Sequence, residues 1–351
     1  MSIRSDGKVR IGIIGAGNIA QNAHIPAYLH QPDVELVAVC DIKADRAEEV
    51  ARRYNIKHVF TDFNEMVKLP ELDAVSVCTW NNSHAAATIA ALEAGKHVLC
   101  EKPMAMNVAE AEAMRDAARR TGNVLQIGFV NRYRTEAQVM KEMAAAGKFG
   151  EIYFGKATIL RRRGTPLGWF TDPAKSGGGP VIDIGVHIID LTRYLMGNPE
   201  PVRVSAGVFA KLGDYKTKAV SRWKAFDTDN LVFGVEDLAG GVIHFANGAS
   251  MVFDVSWAAN IKEVPLLSQV FGTKAGFNLD PFTIYTEDEG YLVDLTPVVD
   301  RGNIWDAQIR HFLTCIKTGQ TPLASADDGV AVQKILNGIY DSARLGKEVT
   351  L

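Results

Sequence analysis

The chain has 351 residues, of which 47% are hydrophobic and 23% are charged. This length predicts two domains, and the composition is that of an ordinary folded globular protein. The 38 basic and 41 acidic residues give a net charge of -3, which gives no indication of a nucleic-acid or membrane-surface partner.

The cysteines and the N-terminus bear on the compartment. Cys40, Cys78, Cys100 and Cys315 lack metal-site spacing, and three of them stand at the ends of predicted strands. Buried free thiols in a reducing cytoplasm are therefore expected. The sequence shows no signal-peptide core before the first strand and no apolar run near the roughly 20 residues that cross a bilayer. We expect a cytoplasmic protein without a membrane segment.

The first predicted strand leads into a dinucleotide-binding fingerprint. Residues 9–20, VRIGIIGAGNIA, combine an apolar β-branched run with a GxGxxA motif. Gly15 permits a tight turn, Gly17 lets the backbone approach a pyrophosphate, and Ala20 allows close packing of helix on strand. The helix N-terminus offers N–H donors to the anion; the alternative is that the motif is only a turn. The cofactor contacts predicted here are Gly15, Gly17, Asn18 and Ile19.

Asp41 follows the second predicted strand, 35–40, a little over 20 residues after the last glycine of the motif. An acidic residue at this place can hydrogen-bond the ribose hydroxyls and repel a 2′-phosphate, so it predicts NAD over NADP. Lys43 and Arg46 lie close enough in the chain to soften that repulsion. The alternative role is an N-cap for the helix predicted at 44–54, and both roles can hold together.

Strands and helices continue to alternate through the first third of the chain. Strands are predicted at 74–78, 97–100 and 124–128, with helices at about 83–94 and 108–120. This alternation of strands and helices predicts an α/β domain with a parallel, doubly wound sheet, in which ligands bind beyond the carboxyl ends of the strands. Further residues expected at those ends are Thr79, Trp80, Asn81, Glu101 and Lys102.

Lys102 stands in a Glu-Lys-Pro sequence at the mouth of this crevice, stiffened by the following proline. A positioned ammonium can polarise an oxygen or depress the pKa of a neighbouring group. The alternative is a solvated lysine in a loop.

The segment 177–190, GGGPVIDIGVHIID, carries the second chemical motif. A glycine-rich turn leads into a predicted helix, 180–196, with Asp183 and His187 four residues apart. Such residues lie on one helix face, so the carboxylate and the imidazole would point into the same space. Histidine suits proton transfer near neutrality, and a neighbouring aspartate can orient it. The alternative is a buried helix in which the two side chains merely satisfy each other.

From residue 152 the pattern becomes rich in strands. These are predicted within 152–160, 202–210, 230–238, 241–257 and 283–286. Short turns between them favour a large, mostly antiparallel sheet in an α+β domain. The helices predicted beyond it are 180–196, 304–317 and 327–345. We expect a dinucleotide-binding domain at 1–129 and a substrate-binding and oligomerisation domain at 130–351.

Three of these motifs together resemble the Gfo/Idh/MocA family of pyridine-nucleotide-dependent sugar and polyol oxidoreductases. They are the GxGxxA loop, AGKHVLCEKP at 94–103 and GGGPVIDIGVH at 177–187, and the similarity spans essentially the whole chain. The resemblance implies that Lys102, Asp183 and His187 line the site around the nicotinamide, and that the Lys102–Pro103 peptide is cis. It also implies a homo-oligomer, a dimer or tetramer, formed through the outer face of the C-terminal sheet; the alternative is a monomer whose outer sheet face is polar.

One stretch departs from the family pattern. The family usually has proline after the threonine of its TPNxxH stretch, whereas Trp80 follows Thr79 here. His84 keeps the place of the family histidine, so it joins the predicted cofactor contacts. Trp80 is expected to stack beside the cofactor.

Several other side chains are candidates for substrate contact. Three consecutive arginines, 161–163, precede the glycine-rich loop, and Arg163 is predicted to bind an acidic group of the substrate. The alternative is that these arginines are the solvated end of a strand. Trp169 and Phe170 can form walls for a sugar ring, with core packing as the equal alternative. The remaining candidates are Arg132, Tyr133 and, more weakly, His24.

The resulting hypothesis is reversible hydride transfer between a nicotinamide and a secondary ring hydroxyl of a sugar, glycoside or inositol, with C3 of a glucoside favoured by analogy. His187 would act as general base, Lys102 would polarise the oxygen, and Asp183 would orient the substrate or the imidazole. No metal is needed, because a cation and a base cover its roles. The alternatives are a glycosidase or lyase that retains its NAD, a non-catalytic sugar or nucleotide sensor, and a dehydrogenase of a substrate outside the sugars.

Overall fold

The computed structural model describes residues 7–213 and 232–351. The described chain forms two compact units. The first unit comprises the residues up to Val130 together with Asn303–Val330, and the second unit comprises Asn131–Gly302 together with Ala331–Leu351. Each unit contains its own sheet.

The sheet of the first unit is parallel and doubly wound. Its described strands are β1 (Val9–Ile14), β2 (Val34–Cys40), β3 (His58–Phe60), β4 (Ala74–Val77), β5 (His97–Cys100) and β6 (Leu125–Ile127). The helices between them are α1 (Ile25–Leu29), α2 (Ala44–Tyr54), α3 (Phe63–Met66), α4 (His84–Glu93) and α5 (Val108–Thr121). The spatial order β3-β2-β1-β4-β5-β6 reverses direction beside β1. The predicted fold class is therefore confirmed for this part of the chain.

The sheet of the second unit is mostly antiparallel, as predicted. Its described strands are β7 (Ile152–Leu160), β8 (Pro201–Phe209), β9 (Leu238–Phe245), β10 (Ser250–Ser256), β11 (Val264–Gly272), β12 (Gly276–Asn278), β13 (Thr283–Asp288), β14 (Tyr291–Leu295) and β15 (Val349–Thr350). They follow the order β14-β13-β12-β11-β7-β10-β9-β8-β15, and only the described pair β7 and β10 is parallel. The later α-helices of the chain are α6 (Thr135–Ala145), α7 (Pro173–Ser176), α8 (Val186–Leu195), α9 (Ile304–Thr318) and α10 (Ala326–Leu345).

One strand prediction for this sheet was wrong, and β11 was missed. A strand was predicted at 230–238, but residues 232–237 pair with no other described strand and β9 begins only at Leu238. Residues 230–231 lie outside the described ranges. The backbone of Asp237 instead bridges Phe209 and Trp257, with N···O distances of 2.9 Å to each. Conversely, β11 was not predicted, because its sequence VPLLSQVFG contains a proline and no clean alternation.

Helix α9 completes the core of the first unit. Its buried side chains Ile309, Phe312 and Leu313 belong to the same apolar cluster as Ile11 of β1 and Tyr28 of α1. The chain thus returns to the first unit late in the sequence, and a division into 1–129 and 130–351 does not include this return. Among the described helices, none is both long and apolar enough to cross a membrane.

Arg132, predicted to reach the substrate, is instead fully buried in the second unit. Its guanidinium donates to both carboxylate oxygens of Asp190 on α8, with Nε 3.0 Å from Oδ2 and Nη2 2.6 Å from Oδ1. The guanidinium also lies 4.7 Å from the centre of the Tyr194 ring. Such a two-pronged pair satisfies both charges away from water. Arg132 therefore anchors α8, and the neighbouring Tyr133 is buried as well.

Candidate functional site

The loop after β1 leaves room for a phosphate-bearing ligand. Gly15 has a φ of +92°, and a Cβ at this position would lie 2.6 Å from the carbonyl oxygen of Cys78, so only glycine fits. At Gly17, by contrast, an added Cβ would meet nothing within 4 Å. The chain then enters a helix whose first turn, Ala20–His24, is π-helical. The tight glycine and the open glycine match the requirements of a dinucleotide-binding loop.

Asp41 fastens this loop to the end of β2. Its Oδ2 accepts the N–H of Ala16 at 2.9 Å, and its Oδ1 accepts the N–H of Lys43 at 2.9 Å. Arg46 Nη1 lies 3.6 Å from Oδ2. Lys43 occupies the N-cap position of α2, so Asp41 supports the helix start from two residues before it. A carboxylate has about four acceptor positions, which leaves capacity for a ribose hydroxyl.

The loop after β4 presents two half-buried side chains, Thr79 and Trp80. Trp80 precedes a single 3₁₀ turn, Asn81–Ser83, and its carbonyl accepts the N–H of Ser83 at 3.0 Å. Thr79 donates its hydroxyl to the carbonyl of Trp80 at 3.1 Å. The departure from the family pattern at Trp80 therefore occurs in an ordered turn, with Asn81 buried behind it.

His84 braces the lysine loop from inside the first unit. It is 1% exposed, and its Nδ1 lies 2.8 Å from the carbonyl oxygen of Pro103 while Nε2 lies 3.3 Å from that of Thr79. Burial lowers the pKa of His84 below its usual value, so the neutral ring is favoured and one nitrogen donates. The shorter distance identifies Nδ1–H as the donor to Pro103. The Lys102–Pro103 peptide held in this way is cis, as the family resemblance implied.

A buried carboxylate holds the same loop on its other side. Glu101 Oε2 accepts the N–H of Lys102 at 3.2 Å, and Oε1 lies 2.8 Å from Nε2 of His24. His24 Nδ1 lies 3.2 Å from the hydroxyl of Ser76, which also contacts Tyr28 at 2.8 Å. Glu101 and His24 are buried, whereas Lys102 is half-buried. His24 thus supports the loop, which corrects its weak assignment to the substrate.

In the second unit, the glycine turn leads into a widened helix start. The turn Val181–Gly185 is π-helical, with the N–H of Val186 donating to the carbonyl of Val181, and α8 follows it directly. Within the described stretch 181–195 every residue is buried except Asp183 and His187, which are half-buried. The predicted helix therefore exposes the two residues expected to do chemistry. π-Helical turns of this kind recur at functional sites.

Trp257 holds the carboxylate of this pair. Its indole Nε1 donates to Oδ2 of Asp183 at 3.0 Å, and the indole itself is fully buried. Trp257 lies 74 residues from Asp183 in the chain. No motif connects the two, so the sequence carried no signal for this contact.

The segment before the glycine turn gives mixed support to the predicted substrate contacts. Arg163 donates from Nη2 to Oδ1 of Asn260 at 2.8 Å, which holds its guanidinium against the chain. The rings of Trp169 and Phe170 lie 3.9 Å apart between centres, and Phe170 is buried, so Trp169 offers the more accessible ring. Leu167 has a φ of +55° and a ψ of -175°, a conformation that costs energy for a non-glycine residue.

Comparison with known proteins assigns the family. Residues 9–129 match "Oxidoreductase family, NAD-binding Rossmann fold", and residues 137–278 match "GFO/IDH/MocA C-terminal domain". The D-glucoside 3-dehydrogenase of Escherichia coli (strain K12) is 37% identical, over 100% of this chain and 99% of that protein. The myo-inositol 2-dehydrogenase of Thermotoga maritima is 28% identical, over 92% of each. A solved structure of levoglucosan dehydrogenase in complex with NADH has a TM-score of 0.83 at 25% identity, covering 98% of this chain and 99% of that one. As the sequence motifs indicated, this chain belongs to the Gfo/Idh/MocA family of NAD-binding oxidoreductases.

Proposed function

We propose that this protein is an NAD-dependent dehydrogenase that oxidises a secondary ring hydroxyl of a sugar, glycoside or inositol. The observation that carries the proposal is the accessible pair Asp183 and His187 on an otherwise buried helical stretch. Two relatives that align with nearly all of this chain are named as dehydrogenases of a glucoside and of an inositol, which supports this substrate class.

The first unit fits NAD. Gly17 leaves the space that a pyrophosphate needs, and Asp41 stands at the end of β2 where the ribose would lie. When bound, NAD supplies the hydride acceptor, C4 of its nicotinamide. Both side-chain nitrogens of His84 and both carboxylate oxygens of Glu101 contact other groups of the first unit, so we assign these two residues to support of the lysine loop. We assign the cofactor contacts to Gly15, Gly17, Asn18, Ile19, Asp41, Thr79, Trp80, Asn81 and Lys102.

Three side chains carry the chemistry in this proposal. His187 accepts the proton of the substrate hydroxyl as general base. Lys102 polarises the substrate oxygen and stabilises the negative charge that develops on it. Asp183, held by the indole of Trp257, orients the imidazole or a substrate hydroxyl. These roles rest on the family resemblance, and Trp169 and Arg163 are the further substrate contacts that we propose.

We further propose a cytoplasmic location. The four cysteines are all free and buried, which suits a reducing compartment. Cell fractionation that recovers the native protein from an oxidising compartment would contradict this assignment.

We also propose a homo-oligomer, a dimer or tetramer, that forms through the second sheet. Thr192 and Met196 pack against one face at Gly155, while the other face carries Phe154 and Phe271, with ring centres 5.6 Å apart, and Val252, 36% exposed. Large apolar side chains on an open sheet face favour pairing with a second copy.

Light scattering is expected to give at least the dimer mass for the wild type, and Val252→Lys is expected to shift the mass toward the monomer. Val59→Lys is the matched control, because Val59 is similarly exposed, at 39%, on the first sheet. A monomeric wild type at micromolar concentration would contradict the proposal.

A substrate panel tests the reaction itself. With glucosides, galactosides and inositols, we expect NADH absorbance at 340 nm to rise in proportion to a ketosugar product, because a dehydrogenase releases both. A glycosidase that retains its cofactor would instead release aglycone without net NADH and exchange deuterium next to the oxidised carbon. Binding of NAD and sugar without turnover across the panel would favour the sensor.

Lys102→Ala and His187→Ala are each expected to reduce kcat by roughly 10²–10⁴-fold, the usual contribution of a general base or a positioned charge. Affinity for NAD, measured by calorimetry, should stay within a few-fold, because we place both residues at the nicotinamide and neither at the pyrophosphate or ribose. The His187 variant should also lose the dependence of kcat/KM on a base near neutrality. Nearly normal kcat in either variant would refute the assigned roles, and lost NAD binding would mean that the residue was misplaced.

NAD is expected to be preferred over NADP, because Asp41 would face the 2′-phosphate with like charge. Asp41→Ser should raise kcat/KM for NADP relative to that for NAD. Arg46→Ala is the control: Arg46 lies 3.6 Å from Asp41, so its removal should lower any residual use of NADP. Equal use of both cofactors by the wild type, or no gain for NADP in Asp41→Ser, would contradict the assignment.

A further inference from the structure

A buried carboxylate from a distant segment fastens the glycine turn that precedes Asp183. Glu236 is 5% exposed; its Oε2 accepts the N–H of Gly179 at 3.0 Å and its Oε1 accepts the N–H of Val181 at 3.1 Å. The first N–H groups of a helix have no carbonyl partner within the helix. Pro180, between the two donors, has no N–H to place. One side chain thus satisfies both amides that the turn leaves open.

Other backbone N–H groups of the turn also have acceptors. The N–H of Gly178 donates to Oγ of Ser176 at 3.3 Å, and the N–H of Asp183 donates to the carbonyl of Gly179 at 3.0 Å. Asp183 is therefore one hydrogen bond away from the residue that Glu236 holds. A displacement of Gly179 would be transmitted to Asp183 through this bond.

Tyr340 of α10 locks the carboxylate from its other side. Its hydroxyl donates to Oε1 of Glu236 at 2.8 Å. Burial, followed by the charge of Glu236, raises the pKa of Tyr340 well above its usual value, so the phenol stays a donor. A Cβ on Gly178 would collide with the Tyr340 hydroxyl, and one on Gly179 would collide with the carbonyl of Glu236. The glycines are therefore needed for this close approach.

Asp237, the residue after Glu236, is hydrogen-bonded to the backbone of Trp257, the residue that binds Asp183. The carbonyl of Asp237 accepts the N–H of Trp257 at 2.9 Å, and the Trp257 indole donates to Asp183. Glu236 thus holds the backbone at the start of the helical stretch, and the adjacent Asp237 holds the backbone of the tryptophan that orients the Asp183 carboxylate.

We propose that Glu236, locked by Tyr340, is a positioning residue that holds Asp183 and His187 in place for turnover. The inference rests on the function proposed above for that pair. Glu236 accepts three hydrogen bonds, from two backbone N–H groups and one phenol. An amide in its place would turn an NH₂ group toward at least one of these donors. The Tyr340→Phe variant removes one donor and leaves both backbone contacts.

The test compares Glu236→Gln and Tyr340→Phe with a matched control in the full-length protein. Misplacement of reacting groups by about 1 Å can cost on the order of 10²-fold in rate. We expect Glu236→Gln to lose on the order of 10–100-fold in kcat, and Tyr340→Phe to lose less. The affinity for NAD should remain unchanged in both, because neither residue belongs to the first unit.

Ser342→Ala is the control. Ser342 also lies on α10, is 1% exposed, accepts the N–H of Ala206 at 3.0 Å and donates to the carbonyl of Lys347 at 2.7 Å. Its loss should lower Tm much as the loss of the Tyr340 hydroxyl does, since each removes buried hydrogen bonding. We expect its kcat to stay within about twofold of the wild type, because only positioning residues should affect turnover beyond their effect on Tm.

Amide hydrogen exchange separates this inference from the proposed function. Exchange at Gly179 and Val181 should accelerate in Glu236→Gln and stay unchanged in Ser342→Ala. The inference would be overturned if Glu236→Gln and Ser342→Ala lost kcat equally, or if exchange at the Gly179 and Val181 amides were unchanged in Glu236→Gln. A wild type without turnover would contradict the proposed function alone, and the exchange data would then decide whether Glu236 holds the turn. If Glu236→Gln does not fold, the comparison of kcat and Tm between Tyr340→Phe and Ser342→Ala tests the inference, and an equal effect on kcat in these two variants would overturn it.

Discussion

Buried carboxylates that accept backbone N–H groups hold the functional loops of both units. Asp41 binds Ala16 in the nucleotide loop, Glu101 binds Lys102, and Glu236 binds Gly179 and Val181. Two of these loops are rich in glycine, so they have few side chains with which to pack. An ionised acceptor compensates, because hydrogen bonds to a charge are roughly twice as strong as neutral ones. The open space that a ligand needs is thereby kept without leaving the loop loose.

The parts predicted from sequence are those encoded by contiguous residues. The nucleotide loop could be predicted from Gly15 and Gly17, because the tight turn and the close approach of the backbone to a pyrophosphate each require a residue without a side chain. The alternation of short apolar runs with helical segments was enough to predict the parallel sheet. The pair Asp183 and His187 was visible because four-residue spacing on a helix has a fixed geometric meaning.

The parts that escaped prediction depend on contacts between distant residues. Trp257 and Glu236 act on the helical stretch from 74 and 57 residues away, and nothing in their own surroundings marks them. Arg132 was assigned to the substrate because it comes just after the last predicted strand of the crevice, and an arginine is seldom fully buried. Its partner Asp190 lies 58 residues later and removes that penalty. Polar residues behind a loop, such as His84, are likewise indistinguishable in sequence from residues that face a ligand.

The late return of α9 to the first unit sets an order of events during synthesis. Phe312 and its neighbours fill the same core as Ile11, so the nucleotide-binding unit lacks part of its interior until α9 has left the ribosome. By then the ribosome has already made residues 131–302 of the second unit. N-terminal domains generally fold first when their chain is continuous. Here the core of the first unit is complete only once the chain through α9 has been made, and a fragment cut after residue 129 would expose the apolar surface that α9 covers.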